Sequence, residues 1–98
     1  MAVIDYAPRA LADLERVGDF LSSDDPGAAS RTAELVTHAV ELLKVHPLIG
    51  RPAEAGSREL VISRGRSGYL ALYDYDEAAD RVTILGIRHQ REAGYKGP

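Results

Sequence analysis

Apolar residues recur through the first half of the chain with the spacing of two amphipathic helices. The first helix is predicted to begin at Pro8, because the first turn tolerates a missing N–H. Its apolar face consists of Leu11, Leu14, Val17 and Leu21. The second helix is predicted from about Pro26 to His46, with Ala29, Ala33, Val36, Val40 and Leu43 on its apolar face. Steps of three and four residues place each set on one side, and the short break at residues 22–27 favours an antiparallel hairpin.

A period of two residues replaces this pattern in the last third and predicts strands. A short strand is expected at Ala2–Tyr6, and three more at Arg58–Ser63, Tyr69–Tyr75 and Arg81–Arg88. The turns between the last three are Arg64–Gly68 and Asp76–Asp80. Prolines and glycines in His46–Gly56 end the second helix before these strands begin.

The order strand–helix–helix–strand–strand–strand predicts an α+β fold of two layers. The antiparallel helix hairpin packs on one face of a mainly antiparallel sheet. We expect the other face of the sheet to remain uncovered. By strand alternation we also expect Leu70 and Leu72 to face the helices, and Tyr69, Tyr73 and Tyr75 to face outward.

Length and composition narrow the class of protein. The 98 residues form one domain, residues 1–98. The absence of cysteine excludes disulfides and thiolate metal sites. Asp5 and Arg9 interrupt the N-terminus too early for a signal peptide, and no run approaches the ~18 apolar residues of a membrane helix. We expect a cytoplasmic protein that does not contact a membrane.

Charge is unevenly divided between the two halves. Residues 1–50 hold four basic and eight acidic side chains, a net charge of −4, whereas residues 51–98 hold eight and seven, a net charge of +1. The overall charge of −3 argues against a protein that coats nucleic acid by itself. The C-terminal half is either ordinary solvated surface or a surface for an anionic or polar partner.

The closing segment "ILGIRHQREAGYKGP" contains the best candidates for chemistry, which are His89, Arg91 and Tyr95. Histidine has an unperturbed pKa of ~6.5, suitable for proton transfer. The same histidine at a strand end could equally be a buried group bonded to the backbone, or a contact to a partner. No metal site or cofactor is expected, because the only other histidines, His38 and His46, lie eight residues apart.

Several stretches in order resemble one family of proteins. They are "YAPRALADLERV", "LLKVHPLIGRP", "RELVI", "SGYLALY" and "VTILGIRHQRE", and the resemblance spans about residues 3 to 95. The chain resembles the RelE/ParE superfamily, the toxins of bacterial type II toxin–antitoxin systems, which include plasmid stabilisation modules. The resemblance implies the two-layer fold and neutralisation by a cognate antitoxin in a hetero-oligomer. A heterotetramer is one assembly that it allows.

The two branches of the superfamily imply different activities. RelE-like members are ribonucleases that cut ribosome-bound messenger RNA, and they place basic residues around the scissile phosphate. Here Val61, Ser63 and Leu70 stand at the corresponding strand positions. If this chain is a nuclease, its catalytic residues are His89, Arg91, Tyr95 and Arg64. ParE-like members are binding proteins that inhibit DNA gyrase, and the closing "HQRE" resembles this branch more closely. An inactive relic of either branch is the third alternative.

The resemblance to the ParE-like branch implies that this chain has no catalytic residue. It also implies two contact surfaces. The target- or partner-binding surface comprises Arg64, Arg66, Tyr69, Tyr73, Arg88, His89, Arg91 and Tyr95. The antitoxin-contact surface comprises Leu11, Leu14, Val17, Leu21, Val36 and Val40. In this family a largely disordered antitoxin segment covers the toxin and folds as it binds.

Overall fold

Two α-helices and five strands make up the regular structure of the described chain. The computed structural model describes residues 1–22, 27–62, 68–92 and 94–95. The elements are β1 (Val3–Tyr6), α1 (Pro8–Ser22), α2 (Ala28–Val40), β2 (Arg51–Pro52), β3 (Arg58–Val61), β4 (Tyr69–Asp76) and β5 (Arg81–His89). A 3₁₀ helix, Glu41–Lys44, continues α2, and a second 3₁₀ turn covers Glu54–Gly56.

The strands form one sheet in the order β1–β5–β4–β3–β2. Only β1 pairs in parallel, with β5, while the other neighbours are antiparallel. The helices pack on each other, and α1 packs on β5. This arrangement confirms the predicted α+β fold, with two helices on one face of a mainly antiparallel sheet.

The strands differ from the predicted bounds by one or two residues, and two larger differences concern the second helix and an additional strand. The predicted second helix is α-helical only to Val40 and then tightens into the 3₁₀ helix. Its predicted start at Pro26 lies outside the described residues. Strand β2 was not predicted, because Pro52 argues against a strand. Proline is nevertheless tolerated on an edge strand, and β2 is the edge beyond β3.

The tyrosines of β4 face the helices, so their predicted outward orientation is wrong. Tyr69 is 3% exposed and Tyr73 0% exposed, and both belong to the core, against which Tyr75 packs. Each buried hydroxyl has a partner, which removes the cost of burying it. The Tyr73 hydroxyl donates to Pro47 O at 2.8 Å and accepts from Gly50 N at 2.9 Å, while that of Tyr69 lies 3.2 Å from Thr32 Oγ1.

Gly50 allows the loop after α2 to approach Tyr73. A Cβ atom at position 50 would lie 2.6 Å from the Tyr73 hydroxyl and ring, which is too close for any other residue. The hydrogen bonds of Tyr73 therefore depend on a glycine at this position, and they fix the loop against β4.

A β-bulge in β5 decides which of its later side chains face the helices. Leu72 pairs with Gly86 and Tyr73 with Ile84, so Leu85 is the additional residue. Before the bulge, Val82 and Ile84 are core residues, and after it Ile87 is. Without the bulge, strict alternation would have turned Arg88 toward the helices. With it, Arg88 lies on the opposite face, called here the open face.

We expect Tyr73→Phe to lower the free energy of unfolding by about 1–2 kcal/mol, because it removes the partner of the buried Gly50 N–H and of the partly buried Pro47 carbonyl. Tyr75→Phe is the matched control. Its hydroxyl donates to Asp80 Oδ1 at 2.7 Å near the surface, so a smaller loss is expected. Urea unfolding of both variants measures the difference. Equal losses would contradict the role assigned to the Tyr73 hydroxyl.

Candidate functional site

The segment that follows β5 folds back over the open face, which is therefore not uncovered as predicted. Tyr95 lies against Gly86, where a Cβ atom would be 3.1 Å from Tyr95 Cδ1. Its hydroxyl donates to Glu59 Oε2 at 2.7 Å. We call Glu59, Leu72, Gly86, Arg88 and Tyr95 the open-face site, since β3, β4 and β5 each contribute to it.

Glu59 is held as a carboxylate by its neighbours. Burial opposes its ionisation, but hydrogen bonds from Tyr95 and Arg51 and the charges of Arg51 and Arg88 together lower its pKa. Arg51 Nε donates to Glu59 Oε1 at 2.9 Å. In contrast, burial and the bond to Glu59 raise the pKa of Tyr95. The pair therefore consists of a carboxylate and a neutral phenol at neutral pH.

Arg88 contacts a tyrosine ring and a backbone carbonyl of its own chain. Its guanidinium carbon lies 5.2 Å from the centroid of the Tyr95 ring, within the range of a cation–π contact. Its Nη1 donates to the Glu92 carbonyl at 2.9 Å. These contacts hold Arg88 and Tyr95 together and fix the C-terminal segment against the sheet.

His89 lies on the other side of the sheet from Arg88. It is 3% exposed, and its ring meets Tyr69 edge to face at a centroid distance of 5.3 Å. Its Nδ1 accepts from the Arg91 N–H at 3.1 Å. This environment is that of a buried histidine bonded to backbone, which is one of the three alternatives stated from the sequence.

Side chains complete the edge of β5 where β1 ends. The register of β1 stops at Ile84, so the next part of β5 is paired with β4 on one side and has no strand on the other. Asp13 Oδ2 accepts from Ile87 N at 2.9 Å, and Arg16 Nη2 donates to Ile87 O at 3.2 Å. Glu92 Oε1 accepts from His89 N at 2.9 Å, and its other oxygen pairs with Arg16. Asp13, Arg16 and Glu92 are called here the edge triad.

The edge triad ties α1 to the C-terminal segment. Asp13 is 2% exposed and its Oδ1 also accepts from Arg16 Nη2 at 3.0 Å. Asp13 was not among the residues predicted from the sequence, although the sequence contains one indication of its role. Ala10, Asp13 and Val17 are spaced by three and four residues, so Asp13 interrupts an apolar stripe. A polar residue in such a position must find partners.

The predicted target-binding residues are only partly brought together. Arg88 and Tyr95 meet on the open face, and Arg91 is exposed beyond the end of β5. Tyr69, Tyr73 and His89 are buried on the helix side, so the prediction that they form a contact surface is wrong for this fold. Arg64 and Arg66 lie outside the described residues.

The predicted antitoxin-contact residues also divide into exposed and buried groups. Val17, Val36 and Val40 are core residues, so their prediction as surface contacts is wrong. They occupy the side of each helix that faces the sheet. Leu14 packs partly against the core, while Leu11 is exposed. The side chain of Leu21 is outside the described part of the structure.

Two shallow concavities lie on the open face. One is lined by Pro52, Ala53, Glu54, Glu59, Leu72, Gly94 and Tyr95, and the other by Arg51, Val61, Leu70 and Gln90. In the described ranges, no group of three or more His, Asp or Glu side chains could hold a metal ion. None of the described helices is both long and apolar enough to cross a bilayer. The residues that line the two concavities give the open face both apolar and polar contacts.

Comparison with known proteins identifies the relatives of this fold. Residues 4–94 match the family model described as the ParE toxin of type II toxin–antitoxin system, parDE. Toxin RelE3 of Caulobacter vibrioides is 35% identical over 92 residues, which are 94% of this chain and 98% of that protein.

Solved structures from both branches have the same fold. The chromosomal ParDE system from P. aeruginosa matches with a TM-score of 0.62 and 23% identity, covering 91% of this chain and 96% of that one. The isolated E. coli RelE toxin matches with a TM-score of 0.62 and 16% identity, covering 95% and 88%. The equal scores mean that backbone shape does not separate the two branches.

We expect Asp13→Ala to reduce the free energy of unfolding by about 2–4 kcal/mol, since it leaves Ile87 N unpaired and a guanidinium without its buried partner. Glu15→Ala, on the exposed side of α1, should change it by less than about 0.5 kcal/mol. Chemical denaturation gives both values. A loss at Asp13 no larger than at Glu15 would contradict the proposed completion of the β5 edge.

The pH dependence of stability tests the Glu59–Tyr95 pair. Because the pKa of Glu59 is lowered on folding, its contribution is complete above the ordinary glutamate pKa of ~4.3 and is lost as pH falls through the folded value. Wild type should therefore be more stable than Glu59→Gln at pH 7, with the difference shrinking toward pH 3. Glu54→Gln, at an exposed position, is the control. A pH-independent difference would refute the assignment.

Proposed function

The chain belongs to the ParE toxin family of the RelE/ParE superfamily, the toxins of type II toxin–antitoxin systems, and we propose that it inhibits DNA gyrase by binding it and does not cleave RNA. One observation carries this proposal. Among the described residues, the open-face site presents one guanidinium, that of Arg88, beside a carboxylate and apolar side chains, whereas a ribonuclease needs several positive groups that converge.

Cleavage of a phosphodiester requires stabilisation of a developing phosphorane. Preorganised positive groups or hydrogen-bond donors usually supply the largest part of such stabilisation. In the open-face site Arg88 is already engaged with Tyr95 and Glu92, and the carboxylate of Glu59 would repel a phosphate. On the same face of β4, Leu72 is half-buried and Leu70 is only 7% exposed, so both contribute apolar side chains and no charge. This balance of charge favours adhesion to a protein.

Proton transfer is also poorly supported at this site. A general base must be deprotonated near the operating pH. The raised pKa of Tyr95 keeps its phenol protonated, and the proton is already donated to Glu59. His89 lies on the opposite side of the sheet, so it does not share a substrate position with Arg88.

The ribonuclease alternative rests on one specific observation. Arg88 and Tyr95 are adjacent on the open face, and a substrate could draw the guanidinium away from the ring. Arg64, which lies outside the described residues, would then have to contribute its charge as well. Acid–base help from a single group contributes only ~10²–10⁴ in rate, so this alternative requires additional cations to converge.

The proposed gyrase-binding surface is the C-terminal part of the open face. Arg88 and Tyr95 form its centre, and the exposed Arg91 lies at its rim. Arginine and tyrosine provide large contact areas, and they are enriched among the residues that dominate protein interfaces. Arg64 and Arg66 are proposed to extend this surface.

A cognate antitoxin is the proposed partner of the helix side. Leu11, Leu35 and Leu42 expose large apolar side chains on the hairpin and the turn that follows α2. An antitoxin segment that folds on binding would cover such side chains. We propose that the complex forms in the cytoplasm, as a hetero-oligomer.

Two purified assays separate the branches. Antitoxin-free protein is expected to inhibit DNA supercoiling by gyrase in a dose-dependent manner and to leave ribosome-bound messenger RNA intact. Arg91→Ala and Arg88→Ala should each weaken gyrase inhibition about tenfold or more, as expected for residues that dominate an interface. Glu15→Ala serves as the control, because it is exposed on α1 far from this surface in sequence.

Expression in cells without antitoxin provides the corresponding phenotype. Gyrase inhibition predicts filamentation and a DNA-damage response, whereas messenger RNA cleavage predicts arrest of translation. Ribosome-dependent cleavage that is abolished by Arg88→Ala or Arg91→Ala would overturn the proposal in favour of the ribonuclease.

A further inference from the structure

Hydrogen bonds of His89 close the turn that carries Arg91 at the end of β5. The His89 carbonyl accepts from the Glu92 N–H at 2.9 Å, and the His89 N–H donates to Glu92 Oε1 at 2.9 Å. A third bond joins the imidazole to the backbone, because His89 Nδ1 accepts from the Arg91 N–H at 3.1 Å. Of these bonds, the third depends on the side chain of residue 89, whereas the others use its backbone atoms.

The imidazole of His89 is held in place from the helix layer. Its ring meets that of Tyr69, which stands directly opposite on β4, edge to face at an interplanar angle of 88°. The Tyr69 hydroxyl in turn lies 3.2 Å from Thr32 Oγ1 on α2. All three residues are buried. A side chain packed in this way has little freedom to change rotamer, so Nδ1 is an acceptor with a fixed position beside the turn.

Burial keeps the imidazole away from any target, but the bond from Nδ1 acts on a residue that is exposed. Arg91 lies at the rim of the proposed gyrase-binding surface, and its backbone belongs to the turn. We propose that His89 is a positioning residue, which orders residues 90–92 and so holds the backbone from which Arg91 projects toward gyrase. This inference rests on the proposed function, because it says how that surface is ordered before binding. A contact segment that is already ordered loses less entropy on association.

Three substitutions of His89 separate positioning from packing. Nδ1 accepts from the N–H two residues ahead, which is the spacing of an Asx turn, where an asparagine side-chain oxygen accepts the same bond. His89→Asn therefore keeps an acceptor and removes the ring. His89→Gln carries the same amide one methylene further from the backbone, and His89→Phe keeps a ring and removes the acceptor.

Hydrogen exchange of the Arg91 N–H, followed by NMR on the purified toxin, measures the bond itself. Exchange should be roughly three- to tenfold faster in His89→Gln and His89→Phe than in wild type, since one hydrogen bond protects this group. His89→Asn should exchange at close to the wild-type rate. Gln90→Ala changes an exposed side chain of the same turn and is the control, with no change expected. Equal acceleration in His89→Asn and His89→Gln would overturn the inference.

Inhibition of gyrase supercoiling shows whether the ordered turn serves the proposed surface. The concentration for half-maximal inhibition should rise roughly three- to tenfold in His89→Gln and His89→Phe, because the turn must then be ordered during binding. His89→Asn should inhibit like wild type, even though loss of the ring lowers its midpoint of urea unfolding. In an Arg91→Ala background, His89→Gln should have no further effect on inhibition.

The order of the losses decides between the two roles. Inhibition that follows the urea midpoint, with His89→Asn as weak as His89→Gln, would assign His89 to packing and overturn the inference. A further loss when His89→Gln is added to Arg91→Ala would also overturn it, since His89 would then act through another group. Wild-type protein that does not inhibit gyrase would overturn the proposed function instead, and the exchange rates would still decide whether His89 orders the turn.

Discussion

The free edge of β5 beyond the end of β1 is the constraint on which the rest of this structure depends. A strand that extends past its neighbour exposes backbone groups that must be satisfied where they are buried. Here the missing neighbour is replaced by Asp13 and Arg16 from α1 and by Glu92 from the segment after β5. The same three side chains also bond to one another. Completion of the sheet therefore positions the C-terminal segment, and both features depend on one helix.

The bulge at Leu85 adds the second constraint. It keeps Ile87 and His89 in the core while turning Arg88 to the open face, where Tyr95 packs against Gly86 and bonds to Glu59. The open face, which a simple meander would leave uncovered, therefore carries the phenol of Tyr95, the guanidinium of Arg88 and the carboxylate of Glu59. Their mutual contacts neutralise much of the charge that phosphate chemistry would require, and this is the physical basis for proposing a binding toxin.

The two proposed contact regions lie on opposite layers of the molecule. The open-face site is proposed to meet the target, and the helix layer exposes Leu11, Leu35 and Leu42, which are proposed to meet the antitoxin. The two layers also differ in charge. The helices belong to the acidic first half of the chain, and the open face is formed by the more basic second half. Complementary partners can therefore be recognised by different layers without competing for the same side chains.

Local patterns in the sequence were sufficient for the helix hairpin, the three-strand meander and the two-layer fold, because periods of 3.6 and two residues are properties of neighbouring positions. The family resemblance placed Arg88, Arg91 and Tyr95 on a contact surface, and the structure has them exposed or half-buried. The resemblance to a known toxin family could also be recognised from the sequence, because it depends on the order and spacing of short stretches along the chain.

Only the tertiary structure decided which face each side chain occupies and which distant residues meet. Tyr69 and Tyr73 face the helices because Thr32, Pro47 and Gly50 supply partners for their hydroxyls, and those partners are 23 to 37 residues away. Glu59 meets Tyr95, and Asp13 meets Ile87, across separations of 36 and 74 residues. A one-residue bulge reversed the facing of the end of β5. Contacts between distant residues are set by packing of the whole chain, so local periodicity could not contain them.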